Sequence, residues 1–270
     1  ADSTKTLDVD GGTIKLDGNY PVGSNNVALG DAALASGSLS GGDNTAIGFQ
    51  ALTTNTSGTV NTAVGGDALR YNTTGGNNAS LGVNALKQNT SGSYNTGIGR
   101  SALQSNTTAA ANTAVGYQAL TTNTTGGDNA AFGYQAAQSN TTGSYLTAIG
   151  RQALYNNTTS SENTAVGYQA MYNMSSTGDA NKSTAVGYKA GYTSTHNVDA
   201  FGAQALYSNT TGVLSVAMGR EALYSNTTGS YNTAIGYQAG FFITSGAKNT
   251  ILGRHNGNQG GLDIRTSSNN

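Results

Sequence analysis

Residues that could carry out catalysis are scarce in this chain of 270 residues. The two histidines, His196 and His255, have no acidic residue that recurs beside them, although general acid–base catalysis needs a positioned partner. Cysteine, paired carboxylates and a serine in a G-x-S-x-G pattern are all missing. Asp43 and Asp128 follow Gly-Gly pairs, but the G-G-x-G-x-D repeat of calcium-binding coils is absent. We therefore predict that the protein is not an enzyme and has no catalytic, cofactor or metal site.

A column of aromatic residues is the strongest candidate for recognition. It recurs at one position of successive sequence repeats in the second half of the chain: Tyr155, Tyr172, Tyr192, Tyr207, Tyr224 and Phe241. Such a column predicts either a platform for a cell-surface glycan or receptor, or rings that stack on each other and seal a contact between subunits. In the first half, the same position holds Thr53, Arg70, Lys87, Gln104, Thr121 and Gln138.

Two further columns have polar side chains that could be functional. A column of asparagines with Asn-x-Ser/Thr spacing predicts turn chemistry, with a glycosylation acceptor as the alternative if the source glycosylates: Asn55, Asn72, Asn89, Asn106, Asn123, Asn140, Asn157, Asn209 and Asn226. Threonine columns make ice binding a minor alternative function, because regularly spaced hydroxyls could order water. An argument against ice binding is that we expect these threonines to lie beside glycine in loops, where the surface is not flat.

All these columns belong to one repeat, exemplified by NTAVGYQALTTNTTGGD at residues 112–128. A glycine after an apolar residue marks each of fourteen copies: Gly30, Gly48, Gly65, Gly82, Gly99, Gly116, Gly133, Gly150, Gly167, Gly187, Gly202, Gly219, Gly236 and Gly253. Ten of the thirteen spacings are 17 residues. A period of this length indicates one supersecondary unit stacked on its own copies.

The residue before each of these anchor glycines is apolar in every copy, and we predict that this column forms the core. Its central members are Ile47, Val64, Leu81, Ile98, Val115, Phe132, Ile149 and Val166. Four positions before the glycine, Asn44, Asn61, Asn78, Asn95, Asn112 and Asn129 predict a ladder of side-chain hydrogen bonds from copy to copy. Glycine in every unit and the Asn-Thr-Thr-Gly loops leave no room for three helical turns. The predicted fold is all-β, a parallel β-solenoid (β-roll) of about fourteen 17-residue rungs.

The array defines the predicted domains and limits the partners. Residues 1–22 read as N-terminal cap strands, residues 23–257 as the repeat array, and residues 258–270 as a C-terminal cap or the start of another module. Three residues added near 173–179 predict a bulge, with a bend or recognition loop as the alternative.

A net charge of -1 argues against nucleic acid as a partner, and no apolar run is long enough for a membrane span.

The repeats also predict association of several chains. Rows of Ala and Gly would leave the backbone of the coil uncovered, so three chains side by side could hide a face of small residues. We therefore expect a homotrimer. End-to-end assembly through the atypical termini is a further expectation.

The segments NTAIGFQAL at 44–52, NTAVGYQAL at 112–120 and NTAIGYQAG at 232–240 resemble the repeats of trimeric autotransporter adhesin heads. The array with its flanking segments is even more similar to the repeat shafts of bacteriophage tail fibres. The resemblance implies a left-handed trimeric β-roll that spaces or presents a host-receptor-binding region, in a virion tail fibre or at a cell surface. The alternatives are a bacterial surface adhesin head and a subunit of an extracellular filament. The rungs are longer than usual adhesin-head rungs, and we assign the extra residues to the Asn-Thr-Thr-Gly loop.

Overall fold

The computed structural model describes residues 25–174 and 182–254, together with two short strands at 258–259 and 262–263. The predicted cap strands in residues 1–22 and most of the inserted segment near 173–179 lie outside the described residues. Within the described part, the chain is all-β and contains no helix. None of its elements is therefore a helix that could cross a membrane.

Each repeat contributes one short strand that ends at the residue before the anchor glycine. Fourteen of these strands form one sheet in sequence order. They are β1 Val27–Leu29, β2 Thr45–Ile47, β3 Thr62–Val64, β4 Ala79–Leu81, β5 Thr96–Ile98, β6 Thr113–Val115, β7 Ala130–Phe132, β8 Thr147–Ile149, β9 Thr164–Val166, β10 Thr184–Val186, β11 Val198–Phe201, β12 Ser215–Met218, β13 Thr233–Ile235 and β14 Thr250–Leu252. A separate antiparallel pair, β15 Asn258–Gln259 and β16 Leu262–Asp263, lies in the segment predicted as a C-terminal cap.

Within the fourteen-stranded sheet, each strand pairs in parallel with the strand of the next repeat, and equivalent residues are partners. Val115 in β6 is opposite Phe132 in β7, and Thr113 is opposite Ala130. The register is kept across the long spacing between β9 and β10, where Val166 is opposite Val186. The predicted parallel β-solenoid is therefore confirmed.

Strands of three residues are stable here because hydrogen bonds between rungs continue around much of the coil. The backbone N–H of Thr113 donates to the Asn129 carbonyl at 2.8 Å. Beyond the strand, Gln118 N–H donates back to Arg100 O at 3.0 Å, and Thr124 N–H donates forward to Thr141 O at 2.9 Å. Buried backbone groups need such partners, and the neighbouring rungs supply them.

The anchor glycines are required by the backbone and by the close stacking of the rungs. Gly99 has a φ of +125°, a conformation that residues with a Cβ rarely adopt. A Cβ added at Gly99 would lie 2.6 Å from the carbonyl oxygen of Gly116, the next anchor glycine. The glycine that marks the period in the sequence therefore marks the point where two rungs come too close for any side chain.

The prediction that the apolar residue before each anchor glycine points into the core is wrong. None of the eight residues from Ile47 to Val166 is buried, and Ile98, Phe132 and Ile149 are 37–41% exposed. Side chains alternate along a strand, and the Asn four positions and the Ala two positions before the glycine both point inward. The apolar residue next to the glycine must therefore point outward. The copies of this column do stack in register, but they do so on the surface.

The interior of the coil is narrow and is filled mainly by alanine, leucine and asparagine. Ala114, Ala119 and Leu120 have no exposed surface, and their equivalents form the same columns along the array. Leu120 adopts a left-handed backbone conformation, with φ of 50°, which turns its side chain inward at the corner after the strand. Because the alanine rows are enclosed, they cannot supply the small-residue face that we expected between chains. Any contact between chains must use other residues.

Candidate binding surfaces of the coil

The predicted asparagine ladder from Asn44 to Asn129 is confirmed, and all six of its members are buried. The side-chain amide of Asn61 donates to Asn44 Oδ1 at 3.1 Å and to the Gly75 carbonyl at 2.9 Å. The backbone N–H of Asn112 donates to Asn95 Oδ1 at 3.1 Å. These side chains satisfy buried polar groups of the coil, so they are structural residues and not a binding site.

The second asparagine column is also inside the coil. Asn123 Nδ2 donates to Asn106 Oδ1 at 3.0 Å and to the Gly126 carbonyl at 2.8 Å, so both of its hydrogens are bonded. The bond to Gly126 closes the Asn-Thr-Thr-Gly turn, as the turn interpretation predicts. The glycosylation interpretation is wrong for the folded chain, because Asn55, Asn123 and their equivalents have no exposed surface.

This second ladder is interrupted where the repeat changes. Asn157 and Asn226 each have an Oδ1 atom that is buried without a hydrogen-bond partner. The residues 17 positions later are Met174 and Ile243, which cannot donate as asparagine does. The ladder therefore ends at the rung before the insertion and again near the end of the array.

Exposed large hydrophobic residues are concentrated on one side of the coil. We call this the strand side, and it consists of the residues five, three and one before the anchor glycine and the residue after it. Of the twenty-three exposed large hydrophobics in the described part of the chain, all but Phe242 belong to the strand side, for example Tyr145, Ile149 and Tyr188. Contiguous exposed apolar surface of this kind marks interaction sites. The strand side is therefore the candidate surface for association.

The column after the anchor glycine mixes tyrosine with arginine, and the two interact within the chain. The Arg151 guanidinium carbon lies 5.2 Å from the ring centroid of Tyr134 and 5.9 Å from that of Tyr168. Tyr117 stacks on Tyr134 with ring centroids 5.3 Å apart. The outer surfaces of these tyrosines remain exposed, which leaves the predicted contact between chains open to them.

A row of threonine hydroxyls also lies on the strand side. The expectation that the threonines lie in loops is only partly right, because Thr45 and Thr62 are paired on the sheet, as are Thr147 and Thr164. The row is not continuous, since Ala79, Ala130, Asp199 and Val216 occupy the same position in other strands. Threonines in the loops bond to the backbone instead: Thr124 Oγ1 donates to Thr141 O at 2.9 Å.

The aromatic column forms a continuous stack on a different side of the coil, which we call the tyrosine ladder: Tyr155, Tyr172, Tyr192, Tyr207, Tyr224 and Phe241. Successive ring centroids are 5.0–5.3 Å apart, and the ring planes differ by 1–13°. All six residues are half-buried. The interpretation that the rings stack on each other is therefore confirmed. Partial burial, followed by the neighbouring phenolates of Tyr155 and Tyr192, raises the pKa of Tyr172 above its ordinary value.

A row of amide and charged side chains lies beside the tyrosine ladder. Gln152 Nε2 donates to Gln135 Oε1 at 3.0 Å, and Gln169 continues the chain to Gln152 at 2.9 Å. In the next rung, Lys189 takes the place of glutamine, and its Nζ lies 5.2 Å from the Tyr192 ring centroid. The ladder thus runs along an edge with hydrogen-bonding groups.

The described residues contain no group of three or more His, Cys, Asp and Glu that could hold a metal ion. His196 Nδ1 lies 2.8 Å from Thr195 Oγ1 and 3.4 Å from the Thr210 carbonyl oxygen. Neither neighbour is acidic, so this histidine lacks the partner of a general base. His255 lies outside the described residues.

Comparison of the chain with protein families, with characterised proteins and with solved structures gave no match.

Proposed function

We propose that the chain is a structural segment of a fibre, a rigid shaft in which three copies associate side by side and which spaces or presents a receptor-binding region. The observation that carries this proposal is the exposed apolar surface of the strand side, to which the rungs of thirteen of the fourteen strands contribute at least one exposed large hydrophobic residue. At about 4.8 Å per rung, the array is roughly 60 Å long. A long regular scaffold without a group of catalytic residues in its described part fits a spacer.

The apolar side chains of the strand side are better suited to packing against another chain than to contact with water. The column before the anchor glycine contains Val, Ile, Leu, Phe and Met, and several of these side chains are about 40% exposed. Side chains of unequal size can interdigitate with those of another chain, and burial of each would contribute about 1 kcal/mol or more. If the chains are parallel and in register, every rung presents the same columns to its neighbours.

The virion or cell-surface location and the number of three chains rest on the resemblance of repeats such as NTAVGYQAL at 112–120 to tail-fibre shafts and adhesin heads. A tail-fibre shaft is the form of the proposal that we favour. An adhesin head and an end-to-end filament use the same coil and differ in what lies at its ends.

The proposal is tested by light scattering for the mass in solution and by electron microscopy for particle length. We expect a mass of three chains and a straight rod. A particle with the mass of one chain would contradict association, and a sphere would contradict the shaft.

Ice binding is a second candidate, and the threonine row on the sheet is the one observation that favours it. No strand threonine that points outward in the described part has a side-chain hydrogen bond within the chain, so these hydroxyls can bind water. The interruptions at Ala79, Ala130 and Asp199 and the unequal apolar residues beside the row reduce the regularity that an ice lattice requires. Thermal hysteresis of the same sample tests this candidate. A chain that stays single and shows hysteresis would replace the shaft proposal.

A further inference from the structure

We propose that the tyrosine ladder binds an extended, neutral β-1,4-linked polysaccharide that lies parallel to the coil axis. The phenol hydroxyls and ring edges would make the contacts. This inference rests on the proposed function in one respect: the polysaccharide would be a receptor that the proposed shaft recognises along its own length.

The spacing of the rings is the first argument. Adjacent ring centroids from Tyr155 to Phe241 are separated by 5.0–5.3 Å. This distance is close to the length that one pyranose unit adds to an extended β-1,4-linked chain. A sugar chain laid along the ladder therefore meets one aromatic residue per sugar, without a mismatch that grows along its length. Compact or helical polysaccharides do not have this match.

The accessible atoms of the ladder define how the sugar would bind. Tyr172, Tyr192 and Tyr207 have a stacked neighbour on each side, so a sugar cannot lie flat on their rings. Their phenol hydroxyls have no hydrogen-bond partner among the described residues. Each hydroxyl can donate one hydrogen bond and accept others, which suits the hydroxyls and ring oxygens of a pyranose.

The rows beside the ladder supply further groups of the right chemistry. Gln152 and Gln169 lie on one side, and the Gln169 amide donates to Gln152 at 2.9 Å. On the other side, Asn156 Nδ2 donates to Asn173 Oδ1 at 2.9 Å. Amide and hydroxyl groups next to aromatic rings are the usual contacts of neutral sugars, because they orient the ligand while the rings exclude water. Within the six rungs of the ladder, only Lys189 and Glu221 add charge to the row that contains Gln152, and they have opposite signs.

The length of the ladder sets the expected length of the ligand. Aromatic residues occupy this column in six successive rungs, whereas the earlier rungs hold residues such as Lys87 and Gln104. Affinity should therefore increase with the number of sugars up to about six. Each added sugar would make hydrogen bonds with one further rung, so the affinity should rise stepwise with the length of the oligosaccharide.

Binding is tested by co-sedimentation with amorphous cellulose and with colloidal chitin, and by calorimetry with soluble oligosaccharides of both kinds. Binding to either β-1,4-linked polymer supports the proposal, and the comparison identifies which sugar is preferred. Amylose is the matched control, since its α-1,4 linkages do not form an extended chain of the same repeat. Failure to bind both β-1,4-linked polymers, or equal binding of amylose, would overturn the proposal.

A variant that removes five hydroxyls separates binding from stacking: Tyr155→Phe, Tyr172→Phe, Tyr192→Phe, Tyr207→Phe and Tyr224→Phe combined. We expect it to fold, because Phe241 already stacks on Tyr224 at 5.0 Å with an interplanar angle of 3°. We expect at least a tenfold loss of affinity. The control Tyr117→Phe with Tyr134→Phe changes the strand side and should bind normally. Unchanged affinity of the fivefold variant would contradict a role for the hydroxyls.

These results are independent of the test of the shaft. A trimeric rod that binds neither polymer would refute this inference and leave the proposed shaft intact. A single chain that binds cellulose or chitin through the ladder would refute the trimer and leave the binding site intact.

Discussion

The side-chain amide nitrogen of Asn123 donates a hydrogen bond of 3.0 Å to Oδ1 of Asn106, its equivalent one rung earlier. Asn140 repeats the contact by donating to Asn123 Oδ1 at 2.8 Å. From Asn55 to Asn140, every such asparagine is thus both donor and acceptor inside the coil, and only the last one of the run, Asn157, has no donor to its Oδ1. Buried polar side chains connect the rungs where an ordinary core would have only apolar contacts.

Replacing Asn123 with alanine should lower the free energy of unfolding by about 2–4 kcal/mol, because it leaves buried polar groups without partners and creates a cavity. The exposed residue Thr125 provides a control, and Thr125→Ala should change stability by no more than about 0.5 kcal/mol. Both changes are measured by denaturant unfolding. Equal stability of the two variants would show that the ladder contributes little.

Gly99→Ala should destabilise the coil by about 3 kcal/mol or more, since the added methyl group meets the Gly116 carbonyl and alanine must adopt a positive φ. Gly66→Ala is the matched control, because a Cβ at Gly66 has no atom within 4 Å. The control should be neutral or slightly stabilising. The comparison is made by thermal unfolding, and a similar loss in both variants would contradict the stacking argument.

Removing residues 112–128 should shorten the rod by one rung, about 4.8 Å, without unfolding it. After this deletion, Asn129 takes the place of Asn112 and every column stays continuous. Removing only residues 112–127 would leave 18 residues between Gly99 and Gly133, as between Gly30 and Gly48. The register is kept across that natural spacing, so this shorter deletion should also fold, with the extra residue in the loop. Circular dichroism and electron microscopy test both deletions. Loss of folding in the longer deletion would refute the modular array.

Ile149→Glu combined with Phe132→Glu should separate the associated chains while leaving the coil folded. Both side chains are 41% exposed, so a single chain tolerates the charges, whereas burial of unpaired carboxylates between chains is costly. Light scattering should report the mass of one chain. Thr125→Glu, away from the strand side, is the control and should stay associated. A double variant that kept the mass of three chains would exclude the strand side as the contact.

Stability should fall at alkaline pH in a way that depends on Tyr172. Its pKa in the folded chain is raised from the ordinary value of 10.0, chiefly by burial. Above pH 10.0 the unfolded chain loses this proton first, so the stabilisation present at lower pH is lost as the pH rises through the folded-state pKa. Phenolate absorbance and unfolding measured against pH test this prediction. Tyr172→Phe should weaken the pH dependence, and an identical profile in the variant would contradict it.

The repeat and the stacking of its copies could be predicted from the sequence because both follow from the regular spacing of residues along the chain. They do not depend on how the side chains pack inside the coil. Regularly spaced glycines gave the register that places Val115 opposite Phe132. Recurring Asn112 and Asn129 predicted a ladder, since identical residues must lie above one another in such a coil. The stacked tyrosines followed for the same reason.

The direction of the side chains could not be inferred from hydrophobicity alone. Hydrophobicity predicts that the apolar column forms the core, but the interior is narrow and is filled at these positions mainly by small residues such as Ala114 and Ala119. Alanine two positions before the glycine was a usable signal of this narrow interior. The burial of the second asparagine column could not be predicted either, because its Asn-x-Thr spacing fits both a turn and a glycosylation acceptor and carries no information on burial.

The hydrogen bonds between rungs run along the coil axis, while the covalent chain winds around it. A force that pulls the two ends apart therefore acts first on hydrogen bonds rather than on peptide bonds. Each rung that peels away frees 17 residues, which add roughly 58 Å of extended chain at about 3.4 Å per residue. Under such a force, the coil should therefore lengthen in steps, one rung at a time, before any covalent bond is stretched.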